Sequence, residues 1–256
     1  MSGRSLGDGI ARLRGSPLAA HTVPFVAFLL ILEAIGWFRI ENSALPWWRH
    51  SPEHWGYPLQ TLACLALVWF WRSHYPPVCR RGIALGVLMG VAGIALWLAP
   101  PVVHAWTGIG DTVSWLQALG FRDRLEGFDP TLFGASDNPL VFVTVVAFRF
   151  LRMVVAVALV EEIFWRGFLM RYLHPDARPW EEQPVGLYAP LSFWLTTVFF
   201  ASAHFGPDTV PALLYGALAG WVTIRTRNLW AVVLMHAVAN LCLGLFILAT
   251  GWWGLW

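Results

Sequence analysis

Seven apolar runs decide what this chain can become. They fall at about 18–38, 57–71, 82–103, 148–173, 189–206, 210–224 and 229–250. A helix needs about 20 predominantly apolar residues to cross a hydrocarbon layer ~30 Å thick. The runs therefore predict an all-α, polytopic integral membrane helix bundle with about seven transmembrane helices, at most about eight. A helix through 140–173 would be roughly 50 Å long at ~1.5 Å per residue, so 140–147 reads as an extension of the fourth span beyond the bilayer. Composition points the same way. The chain is 57% hydrophobic and only 12% charged, with a mean hydropathy of +0.58, whereas a soluble domain is about a quarter charged. Trp37, Trp47, Trp48, Trp69, Trp71, Trp230, Trp252 and Trp253 cluster at the ends of the runs, as an interfacial aromatic belt does.

The runs divide the chain into two regions. Residues 1–139 hold three spans and an extramembrane loop (104–139), and residues 140–256 hold four. The first apolar run spans about 22 residues, beyond the 7–15 of a signal-peptide core, and reads as a retained span. Alternating the loops puts Arg4, Arg12, Arg14, Arg72, Arg80, Arg81, Arg171, Arg178, Arg225 and Arg227 on one side. Arg39, Arg49, Arg122, Arg124, Arg149 and Arg152 fall on the other. That excess predicts a cytoplasmic N-terminus. The loop with Asp111, Asp123, Glu126, Asp129 and Asp137 then faces outward, with an amphipathic helix expected around "VSWLQALG". A net charge of +2 gives no case for nucleic acid, and Cys64, Cys79 and Cys242 have no disulfide or zinc spacing.

Against that apolar background, "VALVEEIFWRGFLM" at 157–170 is costly. A charge at mid-bilayer costs on the order of 2.5–3.5 kcal/mol even on lenient scales, so charges retained there point to function. Glu161 lies about 18 Å from the end of its span at ~1.5 Å per residue. His204 in "FFASAHFG", and His236 and Asn240 in "LWAVVLMHAVANLCL", fall at similar depth. Glu162 and Arg166 are i,i+4 and share a face, which suits an ion pair. Glu161 points about 100° away and is free for chemistry. It could deprotonate a water held with His204. His236 and Asn240, also i,i+4, could donate to a developing oxyanion.

Plainer readings exist for each group. The "EExxxR" run could be a salt-bridged structural element, His204 a packing histidine, and His236 with Asn240 an inter-helix hydrogen-bonding pair. Glu33, Arg149 and Arg152 are expected to form structural ion pairs, and Tyr215, Thr196 and Thr197 to pack the bundle. Glu161, Glu162, His204 and His236 could also bind a divalent cation. No His-Glu-x-x-His zinc helix is present, however, and a carboxylate beside an arginine-paired neighbour is a poor ligand, so neither metal nor cofactor is expected.

Together, "EEIFWR" (Glu161, Glu162, Arg166), "FASAH" (with Phe200 four residues before His204) and "HAVAN" (His236, Asn240) resemble the three motifs of the CAAX-protease and bacteriocin-processing family of intramembrane glutamate proteases, which includes the type II CAAX prenyl endopeptidases. The resemblance covers roughly 148–245. It implies an endopeptidase acting on a membrane-associated protein or peptide. Glu161 and His204 would activate water, His236 and Asn240 would form the oxyanion hole, and Glu162, Arg166 and Phe200 would support them. No metal is implied. The ending from "YGALAGWVTIRTRN" onward is similar to a bacterial branch associated with exosortase sorting systems, which implies the inner membrane and a sorting-system partner. Nothing in the sequence reads a prenyl group. The readings outside this class are a non-catalytic membrane binding, immunity or scaffold protein, and a proton-coupled transporter, which would usually show paired broken helices.

Overall fold

The computed structural model describes residues 6–42, 44–133 and 138–256. Arg4 and Asp137, two of the loop charges weighed above, lie outside the described residues. Helices dominate, and no strand occurs among the described residues. A short amphipathic α1 (Leu6–Arg14) leads into α2 (Pro17–Trp37). Ser16 caps α2 by accepting from the Ala19 amide at 3.2 Å, and Pro17 fills the first turn, where a missing N–H costs nothing. Then come α3 (Glu53–Phe70), α4 (Ile83–Thr107), α5 (Pro139–Tyr172), α6 (Pro190–Ser202), α7 (Thr209–Thr226) and α8 (Leu229–Thr250).

Each predicted run is thus helical, but the helices are not equivalent. Among the described residues, only α2, α4, α5 and α8 are long and apolar enough to cross a membrane by themselves. With 13 residues, α6 spans about 20 Å, short of the ~30 Å core. Its predicted continuation to 206 stops at Ser202, and the chain turns before Thr209. The segment expected to form an amphipathic helix is a turn at Ile109–Thr112 followed by 3-10 geometry at Ser114–Leu119. Large apolar side chains such as Leu30, Leu88, Trp69 and Trp106 face outward from these helices. An apolar exterior on long apolar helices suits lipid, and the chain is an integral membrane protein.

Two contacts set the frame around the site. The first is the close approach of α4 and α8. A Cβ on Gly86 would stand 2.3 Å from the Ala231 carbonyl oxygen, and one on Gly90 would stand 2.5 Å from that of Met235. Small residues four apart let helix backbones meet where lipid offers no hydrophobic drive for association. The second is at the start of α8. The Asn228 side chain accepts from the Trp230 amide at 3.1 Å and donates to the carbonyls of Cys79 and Arg81 at 2.9 and 2.7 Å. It caps the helix and ties it to the loop before α4.

Gly86→Ala and Gly90→Ala are each expected to lower stability in detergent by about 1–3 kcal/mol, because the backbone opposite cannot yield. Gly36, with nothing within 4 Å of its Cβ position, supplies the control. Thermal unfolding of the purified variants measures the difference.

Candidate active site

The fifth helix is irregular where it carries charge. Leu151–Val157 and Trp165–Leu169 wind as π-helix on either side of the α-helical turns that hold Glu161 and Glu162. Such widened turns recur at functional sites because they displace backbone groups from the regular ladder. Arg166 lies in the second. Its Nη1 donates to both oxygens of Glu162 at 2.9 and 3.0 Å, and its Nη2 donates to the Gly216 carbonyl on α7 at 3.0 Å. The guanidinium covers the Phe200 ring at 4.8 Å. Gly216 makes this possible, since a Cβ there would press to 3.0 Å of the same ring. Glu162 is fully buried and Arg166 is 1% exposed.

His236 joins this pair from α8, with Nδ1 2.9 Å from Glu162 Oε1. An oxygen already accepting from Arg166 accepts here as well, so Nδ1 carries the proton. Neutral His236 therefore presents a bare Nε2, and it can donate to an oxyanion only after taking a second proton. Four residues on, Asn240 Nδ2 donates to the Met153 carbonyl at 2.6 Å, within the first π stretch. One of its two amide hydrogens is spent there. Asn240 therefore keeps one hydrogen with which to donate, as expected of it, whereas His236 donates from Nε2 only in its doubly protonated form.

His204 stands beyond the last turn of α6, in the turn before α7. Its Nδ1 is 2.9 Å from the Phe200 carbonyl, which can only accept, so Nε2 is again the free lone pair. Trp97 of α4 meets the ring edge-on at 5.4 Å and Phe200 lies against it at 4.7 Å. Glu161 is 7% exposed, and its Oε2 has no hydrogen-bond partner.

One cavity of about 240 Å³ is lined by Glu161, His204, His236 and Asn240, with Phe200 and Trp97 in its wall. Glu162 and Arg166 lie behind that wall. The cavity also takes in residues assigned above to packing or ion pairing. Tyr215 of α7 lines it, buried, with an unpartnered hydroxyl and its ring 5.7 Å from that of His236. Arg149 and Arg152 line it too, and neither has an ion pair among the described residues. Glu33 is exposed and accepts from Trp37 Nε1 at 3.2 Å. Among the described residues, the expected structural ion pairs of these three residues are not found. A signal was available for the arginines, which precede Glu161 by nine and twelve residues on one helix. Nothing in local spacing marked Tyr215.

The donor set does not suit a cation. No three His, Cys, Asp or Glu side chains converge as ligands among the described residues. Both oxygens of Glu162 are spent on Arg166, and Oε1 also on His236. The alternative set of Glu161, Glu162, His204 and His236 is therefore not arranged as one metal site.

The two neighbouring glutamates should respond differently to neutralisation. Glu162→Gln leaves a buried guanidinium without its counter-charge and is expected to cost about 3–5 kcal/mol. Glu161→Gln breaks no hydrogen bond to Oε2 and is expected to unfold within about 0.5 kcal/mol of wild type. Unfolding in detergent compares the two.

Comparison with known proteins bears on the same part of the chain. No curated protein and no solved structure matches it. Residues 143–242 match the family described as Type II CAAX prenyl endopeptidase Rce1-like. That segment runs from α5 into α8 and contains Glu161, Glu162, Arg166, Phe200, His204, His236 and Asn240. The match supports the resemblance of this segment to the CAAX-protease family of membrane endopeptidases.

Proposed function

We propose that the protein is an intramembrane glutamate-type endopeptidase that hydrolyses a peptide bond of a membrane-associated protein or peptide. The observation that carries this reading is the convergence of Glu161, His204, His236 and Asn240 on one half-enclosed cavity between apolar helices. A water there would donate one hydrogen bond to His204 Nε2 and lose its other proton to the Glu161 carboxylate. The hydroxide attacks the peptide carbonyl. As the tetrahedral intermediate collapses, the C–N bond breaks and Glu161 returns the proton to the leaving amine.

The oxyanion needs donors in a dry site, where each is worth more than in water. Asn240 retains one amide hydrogen. The Tyr215 hydroxyl supplies a second, and His236 would add a third only after Nε2 takes a proton from bulk water. Glu162 and Arg166 position His236 and remain outside the reaction.

The loop arginines favour a cytoplasmic N-terminus in a bacterial inner membrane. The resemblance of the C-terminal region to an exosortase-associated branch supports a partner of that sorting type.

The test compares protein termini in membranes and medium from cells carrying equal amounts of wild-type or Glu161→Gln protein. A defined set of termini is expected to vanish in the variant and to name the substrates. Matching profiles, with potential substrates present, would leave a non-catalytic binding protein as the better reading. On an identified substrate, Tyr215→Phe should lower kcat by about 100-fold with little change in KM.

A further inference from the structure

Two buried arginines face the reaction cavity with too little negative charge around them. Arg149 is 5% exposed and Arg152 is 8% exposed. Arg152 donates from Nε to Gln60 Oε1 at 2.7 Å, and Gln60 is itself held by the Phe28 carbonyl at 2.6 Å. Neutral Gln60 fixes the side chain and leaves its charge unbalanced. The Nε and Nη1 of Arg149 have no hydrogen-bond partner. Its guanidinium sits against the rings of Tyr57, Phe128 and Trp256 at 4.8, 5.0 and 5.1 Å. Aromatic faces return about 0.5–2 kcal/mol per contact, against a desolvation cost of several kcal/mol per buried ion.

Nearby acids do not close the gap. Glu161 lies within electrostatic reach of Arg152 but is not bonded to it. Glu53 acts on Arg149 at a distance and is bonded to Arg39 at 2.9 Å. The cavity wall thus carries two fixed guanidinium forks, with two carboxylates of the chain's own in the same lining, Glu161 and Asp208, the second of them paired with Arg124. A rigid fork with unspent N–H groups matches a planar carboxylate, which accepts two hydrogen bonds side by side.

We propose that Arg149 and Arg152 form a subsite that takes a carboxylate of the peptide substrate, an inference that rests on the peptidase reading above. The carboxylate comes from an acidic side chain or from a free C-terminus. Along α5 the arginines precede Glu161 by nine and twelve residues, and all three side chains line the same cavity, so the carboxylate binds beside the reacting bond on the side toward the start of α5.

The test measures binding to full-length Glu161→Gln protein in nanodiscs, where no cleavage intervenes. The probes are short N-palmitoylated peptides with randomised C-terminal residues, made as free acids and as amides, each with and without Asp and Glu. Mass spectrometry reads the retained peptides. Free acids retained about tenfold over amides would identify the C-terminus, and an equal enrichment of Asp or Glu among amides would identify a side chain. Either preference should fall by most of that factor in Arg149→Gln and Arg152→Gln. It should persist in part in Arg149→Lys and Arg152→Lys, which keep the charge and lose the fork.

Variants are compared only as monodisperse, folded protein, and the Lys forms serve where a Gln form does not fold. Equal retention of charged and uncharged peptides overturns the proposal. So does retention no better than that of empty nanodiscs, or a preference untouched by the substitutions. A carboxylate preference that persists while wild-type protein cuts none of the retained peptides would overturn the peptidase reading and leave the subsite standing.

Discussion

The buried Glu162–Arg166 pair is the interaction on which the rest of the site depends. It gathers four helices around one charge pair. The carboxylate and guanidinium come from α5, the Gly216 carbonyl from α7, the Phe200 ring from α6 and the His236 imidazole from α8. A buried ion pair is weak evidence of stability in itself, because desolvation offsets much of the attraction. Its value here is in orientation. Every hydrogen bond it accepts or donates fixes one wall of the cavity, and a guanidinium without those acceptors would have no low-cost place in a bilayer.

That anchoring separates two glutamates which are neighbours in sequence. One hundred degrees of helical rotation turns Glu162 into a three-fold hydrogen-bonded interior and Glu161 into the cavity, where its Oε2 has no partner. Glu162 spends both oxygens on Arg166 and one of them also on His236, whereas Glu161 lines the cavity. The same logic orders the histidines. Each holds its Nδ1 against an acceptor, Glu162 for His236 and the Phe200 carbonyl for His204, so both direct a lone pair elsewhere. Burial leaves the tautomer little freedom.

Much of the architecture was legible because a bilayer makes few demands and enforces them strictly. Apolar runs near twenty residues had to become helices, and the helix ends fell within a few residues of the expected limits, as at α8 (229–250). Where the reading failed, local chemistry intervened. The run ending at 206 was apolar enough to continue, but α6 stops at Ser202 and turns through Gly206-Pro207 into α7. The "VSWLQALG" segment winds as 3-10 geometry over Ser114–Leu119, none of which is buried, and ends at Gly120 with a φ of 97°.

Within the site, the sequence by itself determined which residues stand on which helix face. The i,i+4 spacings of Glu162 with Arg166 and of His236 with Asn240, and the divergence of Glu161 from Glu162, follow from 3.6 residues per turn in any surroundings. Only the tertiary structure decided what those faces meet. The commitment of Asn240 to Met153, the bare Nε2 of His236, the entry of Tyr215, and the lack of a carboxylate bonded to Arg149 or Arg152 among the described residues all arise between helices far apart in the chain. The physical reason is that periodicity is a property of one helix. A hydrogen bond or an unbalanced charge is a property of two helices, and no single segment encodes its partner.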